Sequence, residues 1–111
     1  MKMIDPILAE LDQEAATTRR VLERVPQNHL GWKPHDKSRS LGALANHIAV
    51  AQARVANALQ TPTYDLSNRE APAPDSVDGI LANFDTSTPE ARRLLAGMSD
   101  EDLMSTWEGK A

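Results

Sequence analysis

Apolar residues recur at three- and four-residue steps in three long stretches of this chain, and proline-rich segments separate the stretches. The first holds Ile4, Ile7, Leu8, Leu11, Ala15, Thr18, Leu22 and Val25. The second holds Leu41, Leu44, Ile48, Ala51, Val55 and Ala58, and the third Val77, Ile80, Leu81, Phe84, Ala91, Leu94, Leu95 and Met98. On a 3.6-residue wheel each set falls on one stripe, the signature of an amphipathic helix. Aromatic residues are 4% of the chain, so the core must come mostly from Leu, Ile, Val and Ala. Strands collect β-branched and aromatic residues, so this composition favours helix packing.

The ends of the three segments carry helix punctuation. Asp5 followed by Pro6 reads as an N-cap with proline at the first helical position, and Pro26 closes the first helix. Residues 26–40 form a loop, in which the lone Trp32 is expected to tuck under and anchor the segment. Ser40 reads as the N-cap of a second helix running to about Leu59. Residues 61–75 contain three prolines and are long for a turn between antiparallel neighbours. Such a segment can return along a bundle and start a third helix parallel to the second. That third helix is predicted over Ser76–Met98. Pro89 lies inside it, but the apolar phase does not slip there, which favours one kinked helix over two short ones. Ser99 to Asp102 resembles a capping box for a short turn, and the remaining tail reads as irregular.

The 111 residues fit a single domain, and the formal net charge of −4 comes without any run of Lys or Arg. Nucleic acid is therefore not expected as a partner. The absence of cysteine removes disulfides, thiolate metal sites and a thiol nucleophile together. The N-terminus lacks the apolar segment of a signal peptide, and no apolar run approaches a membrane span of roughly 20 residues. The expectation is a cytoplasmic protein with no membrane partner.

Among the three histidines, His47 stands apart. It follows Leu44 by three residues and precedes Ile48, so helical geometry predicts it on the buried face. A buried imidazole needs a hydrogen-bond partner or a metal. On local sequence alone, a hydrogen-bonded core histidine is the plainer of these two readings. His29 and His35 lie in the first loop and read as surface residues. Asp36, Asp65, Glu70 and Asp75 also fall in loops, where solvation or capping is expected. Ser38 and Ser40 read as turn and cap residues, with no base placed beside them by spacing. No H-E-x-x-H, P-loop, glycine-rich nucleotide fingerprint or G-x-S-x-G occurs, so a catalytic residue cannot be named from motifs.

Two segments carry a resemblance. The first helix ends in Thr18-Arg-Arg-Val-Leu-Glu-Arg-Val-Pro26, and the stretch from Trp32 to Ile48 reads W-K-P-H-x-K-S followed by L-x-x-L-x-x-H-I. Both resemble the DinB-like superfamily, as does the third helix with its Met98-Ser-Asp-Glu-Asp-Leu103 ending. The resemblance implies an all-α fold, an up-down-down-up four-helix bundle of which this chain holds three helices. It also implies a divalent metal, often zinc or nickel, held by three histidines, and His47 matches the one in the second helix. The resemblance further implies a divalent-metal-dependent hydrolase or a thiol-dependent S-transferase or isomerase acting on small molecules. The other two histidines of the family form an H-x-x-x-H pair on a fourth helix, where that spacing puts both rings on one face. No such helix precedes Ala111. Bundle and metal site are thus expected to be incomplete over residues 1–111, with metal held weakly at best and an apolar groove left open. The alternative is a short, non-catalytic helical module that dimerises or binds a partner through that groove.

Overall fold

The computed structural model describes residues 1–65 and 70–110. Three long helices dominate: α1 (Ile4–Glu23), α2 (Leu41–Ala58) and α3 (Val77–Ala96). A single turn, α4 (Asp100–Met104), follows, and two three-residue strands, β1 (Thr63–Asp65) and β2 (Glu108–Lys110), pair in parallel. The helical part is as the sequence predicts. The one-turn α4 is too short to be a fourth bundle helix, so three helices build the core. No helix among the described residues is long and apolar enough to cross a membrane.

Side-chain bonds fix the directions of the helices. Arg19 on α1 grips Asp85 on α3 through two bonds of 2.9 and 2.8 Å, and Arg92 on α3 grips Asp12 on α1 through two of 3.0 Å. The partners run in opposite order, so α1 and α3 are antiparallel. Between α2 and α3 the order is the same in both: Asn83 donates to Asn46 at 2.9 Å, and Ser87 Oγ accepts from the Ala53 amide at 3.3 Å. These two helices are therefore parallel, and the long 59–76 connection is the crossover expected from its length. Fork-to-fork guanidinium contacts hold the Asp12 and Asp85 carboxyls below their ordinary range. Both pairs are half exposed, so they align α1 on α3 more than they stabilise it.

The helix starts are satisfied locally. Ser40 Oγ accepts from Ala43 and Ser76 Oγ from Gly79. The first two amides of α2 donate to the Trp32 and Leu30 carbonyls, both at 2.8 Å, which seats the preceding loop on the helix. Gly42 permits this approach, because a Cβ there would lie 3.1 Å from the Leu30 carbonyl oxygen. Gln27 bridges to α3, accepting from the Val77 amide and donating to the Asp75 carbonyl. Ser99 and Asp102 form the capping box expected for α4. At α1 the cap differs from expectation: the helix starts two residues early, and Asp5 lies inside its first turn. The Met3 amide instead donates to Asp100 at 2.8 Å, joining the starts of α1 and α4. Helix α3 runs unbroken through Pro89.

The core is Leu22, Ala45, Ala49, Ile80 and Phe84, with Ala15, Val25, Leu30 and Leu81 packed around it. Two expectations fail here. Trp32 is 58% exposed, and the loop is anchored by the Leu30 side chain and by backbone bonds instead. Helix α2 buries Gly42, Ala45, Asn46, Ala49 and Ala56, while Leu44, Ile48 and Val55 stay exposed. Its two apolar stripes lie side by side, and the small-residue stripe faces α3 because alanines let parallel helices approach closely. The large-residue stripe is left exposed. The tail is also more ordered than expected: Trp107 donates its indole N–H to the Ala58 carbonyl at 2.8 Å, and β2 follows directly.

Candidate functional site

His47 stands two turns into α2, on the border between the buried and the exposed stripes. Its side chain is 43% exposed, so it is not the fully buried imidazole that the periodicity suggested. It does have the partner such a ring needs. Nδ1 lies 2.7 Å from Oε1 of Glu70, which arrives from the crossover segment. Arg54, seven residues further along the same helix face, donates to that same oxygen at 3.0 Å. The Glu70 side chain is only 17% exposed, so it meets both donors in surroundings drier than bulk water. A carboxylate has no hydrogen to give, so the ring hydrogen of this contact belongs to Nδ1. In the neutral ring with its hydrogen on Nδ1, Nε2 carries the lone pair.

Two surface hollows meet at this ring. One, of about 430 Å³, has Arg39, Glu70 and Pro72 on its walls. The other, of about 420 Å³, is almost wholly apolar, walled by Ala51, Val55, Tyr64 and Trp107. A group bound at His47 would have polar contacts on one side and an apolar surface on the other.

The other sequence candidates do not join it. His29 lies exposed in a short 3-10 turn, and the His35 Nδ1 accepts from the Lys37 amide within its own loop. Among the described residues no three His, Asp or Glu side chains come together as a metal-binding group. Asp65 is exposed in β1 and Asp75 lends its carbonyl to Gln27, in keeping with loop roles. Glu70 departs from expectation, because its carboxylate is half of the candidate site. It lies 23 residues from His47 with no periodic relation to it. The one available hint was Arg54, a cation placed one heptad after His47 on a helix otherwise free of charge up to that point.

The described residues thus bring together one imidazole on α2, a carboxylate bonded to its Nδ1, and a three-helix, up-down-down core with an exposed apolar stripe beside the ring. No curated protein and no solved structure shows significant similarity to the chain. The sequence pattern of the DinB superfamily, however, matches residues 10–110, taking in all but the first turns of α1 and the whole of α2, the crossover and α3. By that match the chain belongs to the DinB superfamily.

Proposed function

We propose that these residues supply the first ligand, His47, of a divalent-metal centre in a DinB-type bundle that acts on a small molecule. The observation that supports this most is the Nδ1-bonded imidazole at the edge of an uncovered groove, because the remaining ligands of such a centre would come from whatever fills that groove. The residues fit one position of the metal site and not a whole site. His47 would hold the metal through Nε2, and Glu70 would keep the ring oriented. When bound at an open three-nitrogen site, zinc or nickel supplies an acidified water or thiol and a Lewis acid for the substrate. Hydrolysis and thiol-dependent transfer or isomerisation are both within that chemistry. The apolar wall of Ala51, Val55 and Trp107 would shelter the non-reacting part of a substrate.

Cobalt(II) absorption tests this reading. Residues 1–111 alone are expected to bind cobalt weakly, without stoichiometric retention on gel filtration. Joined to a C-terminal helix bearing H-x-x-x-H, the chain should give an intense tetrahedral spectrum, and His47→Ala should weaken binding at least about tenfold. Tight binding by the short chain that survives His47→Ala would overturn the assignment, as would an extended chain indifferent to that substitution.

The exposed stripe Leu44, Ile48 and Val55 favours a second reading, a non-catalytic helical module whose groove closes against a second copy of itself. Sedimentation equilibrium then shows a dimer for residues 1–111 and a monomer for Ile48→Glu. A monomeric parent chain rules this reading out.

A further inference from the structure

We infer that Glu70 is a positioning residue for His47: by accepting the Nδ1 hydrogen it holds the neutral ring in the tautomer whose Nε2 lone pair is available to a ligand. This rests on the reading of His47 as a metal ligand and adds the group that prepares it.

Three features carry the inference. The first is the contact itself, 2.7 Å between Nδ1 and Oε1, short enough for a charge-assisted bond. The second is the placement of the acceptor. Arg54 binds the same Oε1 at 3.0 Å, so the carboxylate is held from α2 by a second donor. A carboxylate held by this second donor favours the ring orientation and tautomer in which Nδ1 donates to it. The third is that the fold has little need of this bond for its stability. The helix pair α2 and α3 is already joined by its alanine-lined core and by the Asn46–Asn83 and Ala53–Ser87 bonds. Ion pairs that are partly exposed add little to folding. A neutral histidine free in water favours the opposite tautomer, with the hydrogen on Nε2. That form would present a donor to a metal where a lone pair is required. Glu70 thus favours the tautomer that leaves the Nε2 lone pair to a ligand.

Nitrogen-15 NMR of the histidine rings decides the matter without any metal. In alkaline buffer, where imidazole side chains are neutral, long-range correlation spectra distinguish the two ring nitrogens by their shifts. His47 in the parent chain is expected to show a pyrrole-like Nδ1 and a pyridine-like Nε2. His29 and His35 serve as internal references, the first for an exposed ring. In Glu70→Ala the His47 pattern should invert to the Nε2–H form, while the amide spectrum of α2 and α3 stays that of the folded parent. Arg54→Met, which loosens the carboxylate without removing it, should give a mixture of the two forms. A parent chain with His47 already in the Nε2–H form overturns the proposal, and so does a folded Glu70→Ala in which the pattern does not change. Should Glu70→Ala fail to fold, the parent spectrum and Arg54→Met still decide. The outcome is independent of the metal experiment. An Nδ1–H ring in a protein that never takes up metal would leave the positioning role standing and remove the metal reading.

Discussion

Phe84→Ala is expected to lower the unfolding free energy by about 3–5 kcal/mol, the usual cost of removing a buried phenyl ring. Phe84 is the chain's one phenylalanine and is 3% exposed, packed with Leu22, Ala45, Ala49 and Ile80. Three of its four core neighbours are Leu or Ala, so the ring supplies a large share of the apolar volume where α1, α2 and α3 meet. Small side chains cannot swing in to refill the space, and the cavity term then adds to the lost burial. Domains of this size have about 5–15 kcal/mol in total, so the substitution removes a large fraction of the stability. With about 4 °C or more lost per kcal/mol, the melting temperature should fall by roughly 12 °C or more. Trp32→Ala is the control. The larger ring sits mostly in solvent, and its removal should change stability by no more than about 0.5 kcal/mol. Thermal unfolding followed by circular dichroism measures both. If Trp32→Ala is the costlier, the loop 26–40 is anchored by its indole after all and the packing described for it is wrong.

The two aromatic residues show how far the sequence is legible. Phe84 lies on a regular stripe with Ile80, Leu81 and Ala91, and periodicity is enough to bury it. Trp32 has no periodic neighbours, and residue type, the one feature that points to its burial, does not decide where a loop side chain goes. Helix ends were legible for a related reason. Ser40 and Ser99 cap through bonds to an amide three residues away, so cause and effect are local, whereas α1 begins at Ile4 without the cap expected from Asp5. The parallel α2–α3 pair was also legible, because a fifteen-residue proline-bearing connection constrains direction by length. What could not be read was any contact made across the chain by a residue outside a periodic element. Glu70 reaching His47, Gln27 capping α3, Trp107 on Ala58 and the β1–β2 pairing are all of this kind. Three-residue strands are too short to show alternation, and a carboxylate in a loop looks the same whether it is solvated or aimed at a ring. The candidate site was therefore half legible: its imidazole lies on a helix, and its carboxylate does not.

The phase of α2 is the sharpest disagreement, and it sets the second large effect. Ala49→Leu is expected to destabilise by roughly 1–3 kcal/mol, because Ala49 is fully buried against α3 and added methylenes must displace a neighbour. The parallel α2–α3 pair relies on small side chains at Ala45, Ala49 and Ala56, so a leucine at the middle one forces the axes apart along their length. The Asn46–Asn83 bond lies three residues back, about one helical turn, and Asn46 is 2% exposed. Separation would leave these amides without each other in a place water barely reaches, adding to the cost. Val55→Leu on the neighbouring stripe is the matched control. Val55 is 58% exposed, and its enlargement should change stability by no more than about 0.5 kcal/mol. Chemical denaturation of both variants decides the phase. A costly Ala49→Leu beside a neutral Val55→Leu means that α2 faces α3 through its alanines, which leaves His47 at the edge of an open apolar groove. The reverse order would turn the helix by about 100°, the angle between successive residues, and bury the stripe of Leu44, Ile48 and Val55. His47 could not then face the groove, and the site built on it would have to be abandoned.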